Sequence, residues 1–487
     1  MKHLLSVAFA LFALALGMTA QSEQSAFSIT GHGVATPFAT DYQAIGINPA
    51  NLDFGTGYEG KRFTMGFAEF GVSVYSGMLS KPDVRKNLFG GTFQDLSQQE
   101  QLQYAYDFAN TNNAADIDIM WTGFSMNTEK LGSYAFSVRD KVDYYSHFGD
   151  QVAKLLWLGY TSPYFTDYVL STGDTIPAYQ NMSADSLALI IEGLNELNPQ
   201  SISQLAQGTH FRMSWVREFN FAYGKRIING ESFSLNVGVG LKYLVGQGYL
   251  QLDAEDGKAE AFSSLSPIFD IDYSGIVDGN PSALPSDSKK LLPVGHGFGF
   301  DLGVSALIKN KLILSAAVTD IGTMTWDGNV YSLKDVNLTN FTTSGLDNLS
   351  LYDQLDQLNG SDGIVEWQGS QSLETKLAAT MRAGAGLMLN DMLKFGVDFV
   401  APLNDEVGSI ENASIAVGGE FSPVKWVHLS VGLMNGGNYD TKIPAGVRFT
   451  LGKGTYEFGV ASRDLVTFFT EEQPTVSAAA GFLRFRF

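Results

Sequence analysis

The 487-residue sequence predicts an all-β fold, a transmembrane antiparallel β-barrel of about 14 strands with an N-terminal luminal plug and some helical extracellular loop segments. Three observations predict it: an export signal at the start, long segments of alternating apolar and polar residues, and an amphipathic final strand that ends in Phe487. Charged residues make up 17% of the chain, below the about 25% of soluble domains.

The first 20 residues have the layout of a signal peptide. A basic head containing Lys2 precedes a run from Leu4 to Leu16 that is almost wholly apolar, and small residues lead to a cleavage site after Ala20. The run is too short to span a bilayer as a helix, which needs roughly 20 residues. No later apolar stretch is long enough either, and the absence of Cys rules out a lipoprotein anchor. We therefore expect export and residence in a bacterial outer membrane.

Alternation separates a membrane barrel from a soluble sandwich, because lipid-spanning strands alternate over about 10 residues. In 233–245, odd-numbered residues from Phe233 to Val245 are apolar, whereas the even-numbered ones are mostly Ser, Asn, Gly or Lys. The pattern recurs in 211–224, 298–306, 377–387, 427–433 and 443–452. Lys242, Asp301 and Arg448 fall on the small-residue face, which favours a water-filled lumen over a buried sandwich core.

The C-terminal residues follow the same rule. Leu483, Phe485 and Phe487 share one face of the final strand, and Arg484 and Arg486 share the other. A terminal strand that ends in Phe resembles the signal read by the outer-membrane barrel assembly machinery. That machinery and membrane lipids are therefore the expected partners.

The chain divides into a signal peptide at 1–20, a plug segment at 21–60 that is rich in Gly, Ala, Asn and Pro, and a barrel at 61–487. We expect long loops near 80–115, 146–209, 265–293 and 335–372. Two segments have helical spacing: 92–112, with Asp95 or Ser97 as the cap and Glu100 in the first turn, and 183–206, capped by Ser183. Candidates for the aromatic girdles, with ordinary strand packing as the alternative, are Trp215, Tyr223, Tyr243, Trp326 and Trp426.

The composition excludes several chemistries. A net charge of −20 argues against nucleic acid, and zero Cys removes thiolate nucleophiles and Cys-ligated metals. The histidines lack metal-ligand spacing, so neither a metal nor a cofactor is expected. The acidic stretches 253–256 and 270–272 read as solvated loop charge, with Ca²⁺ as the alternative. His210 and Ser214 share a strand face as in a hydrolase, but that spacing is an ordinary coincidence and no enzyme is predicted.

A motif near the mature N-terminus carries a family resemblance. The stretch 44–52, Ala-Ile-Gly-Ile-Asn-Pro-Ala-Asn-Leu, follows Thr40-Asp41 and resembles the FadL-type superfamily of outer-membrane transporters for hydrophobic compounds. The segments 297–303 and 318–322, with Trp326, resemble a strand pair of that superfamily, shared by uncharacterised relatives and by components associated with type IX secretion.

The resemblance implies a 14-stranded barrel, a luminal plug and a lateral exit for apolar ligands. By this resemblance, Asn48, Pro49 and Ala50 are expected to fix the plug in place. The resemblance identifies no ligand-binding residue. From the residues alone, Asn48-Pro49 is a turn in which Asn satisfies nearby backbone groups, with a role in opening the plug as the alternative.

Two functions compete. The first is passive transport of small hydrophobic molecules such as fatty acids through a porin-like barrel. The second is docking of a secretion or surface-assembly partner through the long loops at 146–209 and 335–372.

Overall fold

The computed structural model describes residues 26–58, 60–76, 96–128, 130–179, 182–271, 279–285, 290–346, 364–410, 412–437, 439–466, 469 and 476–487. The predicted signal peptide at 1–20 and the first residues of the predicted plug, 21–25, lie outside these ranges. The described chain forms a closed antiparallel barrel of 14 strands, which confirms the predicted fold class.

The barrel strands run in chain order around the wall. They are β1 Phe63–Ser76, β2 Asn112–Thr128, β3 Gly132–His147, β4 Thr209–Asn229, β5 Phe233–Glu255, β6 Gly295–Ile308, β7 Leu312–Trp326, β8 Thr380–Asn390, β9 Leu393–Pro402, β10 Ser414–Val424, β11 Val427–Gly436, β12 Ala445–Leu451, β13 Tyr456–Ser462 and β14 Val476–Arg486.

The last strand closes the barrel on the first. Thr64 pairs with Arg486 and Val74 with Val476 in the β1–β14 ladder. Beyond the ladder, the backbone N–H of Phe487 donates to the carbonyl of Phe63, at 2.8 Å from N to O. The closed ladder leaves no open sheet edge between these two strands, and an open edge is not tolerated in lipid.

The two ends of the barrel differ in their connections. At one end, here the turn end, six short hairpins join neighbouring strands among the described residues. Lys309 and Asn310 have φ of 51° and 53°, as a tight hairpin between two twisted strands requires. The other end, here the loop end, carries the long connections.

The outer wall is apolar and exposed, as the alternation predicts. Phe298 is 65% exposed and Leu241 58%, and among the described residues exposed large apolar side chains lie on every barrel strand except β3. A continuous exposed apolar surface of this extent needs lipid around it. Tyr243 and Trp426 are exposed on this wall, whereas Trp326 is 1% exposed, so the girdle assignment of Trp326 is wrong.

One local irregularity changes which residues face the lumen. Ala68 in β1 has a φ of 50°, and it shifts the alternation by one residue, so that both Phe67 and Phe70 are exposed and Glu69 is buried. The β2–β3 register also shifts between Met120 and Thr122. Such bulges re-aim individual side chains without breaking the sheet.

A cap of helices and short strands covers the loop end. Its helices Gln98–Phe108 and Asp150–Leu158 share a buried apolar cluster that includes Phe148, Trp157 and Phe211. The first helix confirms the helical prediction for 92–112, because Ser97 and Glu100 form its capping box. No helix among the described ranges is long and apolar enough to cross a membrane.

The helical prediction for 183–206 is wrong over most of its length. Only Ala184–Leu187 and Ile202–Leu205 are helical, and Ile190–Leu194 is a strand paired with Asp167–Leu170.

The remaining short elements are Phe27–Thr30, Asp41–Ala44, Pro49–Phe54, Gly159–Thr161 and Pro267–Phe269 as helices or helical turns, and Thr175–Pro177, Lys258–Leu265, Val330–Leu333, Asn340–Phe341, Trp367–Gly369, Leu373–Lys376 and Tyr439–Lys442 as strands.

Candidate functional site

The N-terminal segment 26–58 lies against the inner wall of the barrel. Three short helical turns, Phe27–Thr30, Asp41–Ala44 and Pro49–Phe54, give it a compact shape. Most of its side chains are buried, polar ones included, and its contacts are with inward-facing residues of the strands. The luminal faces of the strands must therefore satisfy the polar groups of this segment.

Asn48 begins the third helical turn and also binds the wall. Its Oδ1 accepts a hydrogen bond from the backbone N–H of Ala50 at 3.1 Å, and Pro49 occupies the first helical position. Its Nδ2 donates to Ser305 Oγ on β6 at 2.9 Å. Asn48 thus satisfies a local backbone donor and hydrogen-bonds to the barrel wall.

Close approach to the wall depends on glycine. A Cβ at Gly303 would collide with Asn48 Oδ1, and one at Gly238 would collide with the backbone of Ala50. The glycines that alternate along β5 and β6 therefore leave the space that the Asn-Pro-Ala turn occupies.

A second anchor is a carboxylate on β9. Asp398 Oδ2 accepts hydrogen bonds from the backbone N–H groups of Ala35 and Thr36, at 2.7 and 2.8 Å. Asn51 then ties the segment to itself, because its Nδ2 donates to the carbonyls of Thr36 and Ala39. These bonds fix the course of residues 35–51 across the lumen.

A ladder of alternating charges crosses the inner face of the C-terminal strands. Lys394 lies 3.4 Å from Glu420, and Arg448 lies 2.8 Å from Glu420 and 2.7 Å from Glu457. Four strands, β9, β10, β12 and β13, each contribute one member. We call this set, with Arg484 and Arg486 of β14, the ion ladder.

The ion ladder ends on the N-terminal segment. Arg484 donates to Glu457 at 2.7 Å and to Asp41 at 2.5 Å, and all three side chains are at most 2% exposed. Arg486 lies 3.0 Å from Glu457 and over the ring of Tyr58. The arginines assigned to the lumen from sequence are thus paired with buried carboxylates.

His32 packs against the same ladder. Its Nδ1 accepts from the backbone N–H of Val34 at 3.2 Å. Burial, together with the nearby cations Lys394 and Arg448, lowers the pKa of His32 to about 3 against the opposing effect of Glu420. The imidazole is therefore neutral at physiological pH.

Tyr42 occupies the space that two glycines leave on β1 and β2. Its phenol donates to Glu69 Oε1 at 2.5 Å, and Gln43 Nε2 donates to Glu69 Oε2 at 2.7 Å. A Cβ at Gly66 would collide with the phenol, and one at Gly123 would lie 2.8 Å from the ring. Burial and the Glu69 carboxylate both raise the pKa of Tyr42, so the phenol stays protonated.

The expectation that Lys242, Asp301 and Arg448 face open water is wrong. Lys242 Nζ lies 3.2 Å from Asp301 and 2.5 Å from Asp320, and Lys242 and Asp301 are each 1% exposed. Arg448 belongs to the ion ladder. Buried ions are tolerated when they are paired and hydrogen-bonded, and pairing replaces bulk water here.

A cavity of about 80 Å³ lies above the N-terminal segment, on the side of the loop end. Gly46 is at its floor, and Tyr249, Met324 and Trp326 line one side. The opposite side is polar and includes Lys141 and Asp143 of β3. The volume is below the roughly 300–1,000 Å³ of pockets that enclose drug-sized ligands, so the cavity as it stands is too small for a fatty-acid chain.

The connection between β9 and β10 covers this cavity. Glu406, Val407 and Gly408 contribute to its lining. Asp405 accepts from Arg212 at 2.9 Å, and Arg212 also lies 3.3 Å from Asp253, which attaches the connection to β4 and β5.

The other candidates from the sequence are engaged elsewhere. His210 contacts Asp253 at 3.0 Å and Glu255 at 3.2 Å, whereas Ser214 donates to Asp143 at 3.4 Å. His210 and Ser214 therefore have different partners. Among the described residues, no group of three or more His, Asp or Glu side chains is placed to hold a metal ion.

Sequence similarity assigns the chain to a family. Residues 169–456 match the model of a family of unknown function, DUF5723. The chain belongs to this family. The DUF5723 match covers β4 to β12, so the cavity wall from β4 onward and the ion ladder up to Arg448 lie within it. Asn48 and Arg484 lie outside the matched residues. No curated protein matches the sequence.

Several solved structures resemble this DUF5723 chain in architecture. The toluene transporter TodX of Pseudomonas putida is 10% identical, with 96% of this chain and 99% of that chain covered and a TM-score of 0.44. The toluene transporter TbuX of Ralstonia pickettii is 12% identical, with 96% and 99% covered and a TM-score of 0.45. A FadL homologue of Pseudomonas aeruginosa is 10% identical, with 96% and 97% covered and a TM-score of 0.37.

Proposed function

We propose that this chain is an outer-membrane barrel for the passive transport of small hydrophobic molecules, exported through a signal peptide cleaved after Ala20. The N-terminal segment acts as its plug, which Asn48, Pro49 and Ala50 hold against β5 and β6. Molecules enter from the loop end, reach the cavity above the plug and pass on when the plug moves.

The observation that carries this proposal is the cavity between two covers. It is bounded by the plug at Gly46 and by the β9–β10 connection at Val407, and its apolar side contains Tyr249, Met324 and Trp326. A pocket with apolar residues in its lining, inside a transmembrane barrel, supports a route for apolar solutes. The small volume supports a closed resting state, in which transport requires movement of the plug.

The plug is attached by separate polar anchors in addition to an apolar cluster, in which segment residues such as Ile45 and Ile47 share contacts with Met120, Ala222 and Ile313 of the wall. Asn48 with Ser305, Asp398 with two backbone N–H groups, and Asp41 with Arg484 are three separate anchors. Polar anchors can exchange partners with water when they open. This bonding supports a plug that moves without unfolding the barrel.

The test is uptake into proteoliposomes with a lipopolysaccharide outer leaflet, which slows spontaneous entry of apolar solutes. A fluorescent long-chain fatty acid and a one-ring aromatic probe are compared, each against protein-free liposomes. Uptake that rises with the amount of folded barrel supports the proposal, and uptake of the aromatic probe alone narrows the substrates to small molecules. Rates equal to those of protein-free liposomes for both probes would refute it.

A second candidate function is docking of a secretion or surface-assembly partner at the loop end. The cap presents exposed apolar side chains, with Leu197 79% exposed and Tyr179 and Ile191 also exposed. Its buried cluster makes it an ordered surface. Gentle extraction of the native barrel followed by native mass spectrometry tests this candidate: a stoichiometric complex that Leu197→Ser and Ile191→Ser dissociate supports it, and a lone barrel counts against it.

A further inference from the structure

The cavity above the plug has one apolar side and one charged side. Leu244, Met324 and Trp326 form a buried cluster on the apolar side. Three basic and four acidic side chains line the cavity. They are Lys141, Lys376, Arg382, Asp143, Glu218, Asp320 and Glu406. This is a lining for a solute with an apolar body and one charged group.

Two close ion pairs hold charged side chains that line the cavity. Lys141 lies 3.1 Å from Glu218, and Asp320 accepts from Lys242 at 2.5 Å. The remaining cations also face carboxylates: Arg382 attracts Asp320 and Asp398, and Lys376 attracts Glu406.

Asp143 is in no close ion pair among the described residues, because Lys141, the cation that attracts it, is bound to Glu218. Its carboxylate accepts from Ser214 Oγ at 3.4 Å. Within the described part of the chain, it has no Lys, Arg or His nitrogen within 4.0 Å. The backbone of Gly408, with φ of 88°, lies close to the carboxylate. A Cβ at this position would be 3.1 Å from Asp143 Oδ2. A carboxylate at the edge of a cavity with apolar lining is stabilised when a cation pairs with it.

We propose that this cavity binds a small organic cation, an ammonium group on a short apolar body, with Asp143 receiving the ammonium. Tyr249 and Trp326 contact the apolar body. One water needs about 10–15 Å³ of such volume, so 80 Å³ holds a solute of roughly five to eight non-hydrogen atoms. The inference rests on the proposed transport function, and it narrows the substrate class to small amines.

The test compares three probes of similar size and different charge: n-butylammonium, 1-butanol and butyrate. Their binding to the purified full-length barrel in detergent is measured by saturation-transfer NMR. A charge-assisted hydrogen bond stabilises by about 1.5–3 kcal/mol, so n-butylammonium should bind about 10-fold or more tightly than the other two. In Asp143→Asn, which keeps the shape and an acceptor for Ser214, the preference should disappear while binding of 1-butanol persists.

Asp335→Asn is the matched control, because Asp335 accepts from Ser203 in the loop-end cap and does not line the cavity. It should keep the full preference for the ammonium probe. Equal binding of the three probes, tighter binding of butyrate, or an unchanged preference in Asp143→Asn would overturn the proposal.

Uptake of the same probes into proteoliposomes separates this inference from the transport function. If n-butylammonium binds through Asp143 but no probe enters faster than in protein-free liposomes, the site stands and transport fails. If all three enter at equal rates in the wild type and in Asp143→Asn, transport stands and the cation site is refuted.

Discussion

Arg484 in the last barrel strand donates to Asp41 in the N-terminal segment, across 443 residues of sequence, and both side chains are at most 2% exposed. The same guanidinium binds Glu457 of β13. The final strand of the barrel thus anchors the N-terminal segment through one arginine. Closure of the barrel and binding of the N-terminal segment to its wall are therefore coupled.

Asp41→Asn should loosen the N-terminal segment without opening the barrel. Removing one partner of a buried ion pair costs about 3–5 kcal/mol, because the other charge is left without its partner. We expect faster proteolysis of 26–58 and a higher conductance of single barrels in planar bilayers. The control is Glu366→Gln, which breaks an ion pair with Lys334 in which both side chains are 55% exposed and which should change stability by about 0–1 kcal/mol. Equal effects of the two variants would contradict this role of Asp41.

Asn48→Ala should weaken the attachment of the N-terminal segment to β6. It removes the cap of the helical turn, worth about 1 kcal/mol, and the bond to β6, whose loss leaves a buried polar group without a partner at about 1–3 kcal/mol. Ser305→Ala leaves the cap in place, but it removes the bond to Asn48 together with the hydrogen bonds that Ser305 makes with Asn51 and Ser315. Denaturant unfolding in detergent of both single variants and the double variant gives the coupling energy, and a value near zero would mean that the contact does not hold the segment.

Gly66→Ala should displace Tyr42. The added methyl group collides with the phenol, and overpacking of this kind costs about 1–3 kcal/mol. In a Tyr42→Leu background the space is free, so the same substitution should cost little. Thermal unfolding of the four proteins measures the interaction, and an equal cost of Gly66→Ala in both backgrounds would show that Tyr42 is not the colliding group.

The attachment of the N-terminal segment to the barrel should weaken in acid, because His32 then becomes protonated. The folded protein holds the pKa of His32 at about 3, mainly through burial, whereas the unfolded chain has about 6.5. The unfolded state therefore binds more protons between these values. The stability that the folded protein owes to unprotonated His32 is complete above pH 6.5. It is lost as the pH falls toward 3, by about 1.4 kcal/mol per pH unit.

Melting temperatures between pH 7 and 4 test this, with His32→Gln as the comparison. Lys394, Glu420 and Arg448 face the imidazole and are present in both proteins, so the difference between the two curves isolates His32. The wild type should lose stability more steeply than the variant. Parallel curves would assign the acid sensitivity to other groups.

The sequence predicted the barrel because strand alternation is a local property. Lys242 and Asp301 were placed on the inner face from their positions along β5 and β6 alone. Their pairing was missed, because Asp320 reaches Lys242 only through the register of the folded sheet and a bulge near residue 301. The local sequence pattern predicts which face of the sheet a side chain occupies. The ion-pair partner of that side chain depends on the register of the folded strands.

The candidate site shows the same limit. The Asn-Pro-Ala turn was visible as a motif, but Glu69 was not, because its inward direction depends on the positive φ of Ala68. The strand Ile190–Leu194 looked helical, since it exists through pairing with Asp167–Leu170 rather than through its own spacing. Asp143 could not be singled out, because its lack of a close ion pair with any described residue is a property of the folded lumen.

The central claim is that solutes pass only when the N-terminal segment moves. A disulfide between Gly33→Cys and Ala416→Cys tests it, because an ideal Cβ at residue 33 lies 3.4 Å from the Cβ of Ala416 once Met434 gives way, and the chain has no other cysteine. The Gly33→Cys single variant controls for strain at its φ of 70°. We expect uptake of the apolar probe into proteoliposomes to stop in the oxidised double variant and to return on reduction. Equal uptake by the oxidised and reduced forms would show that the segment is not the gate.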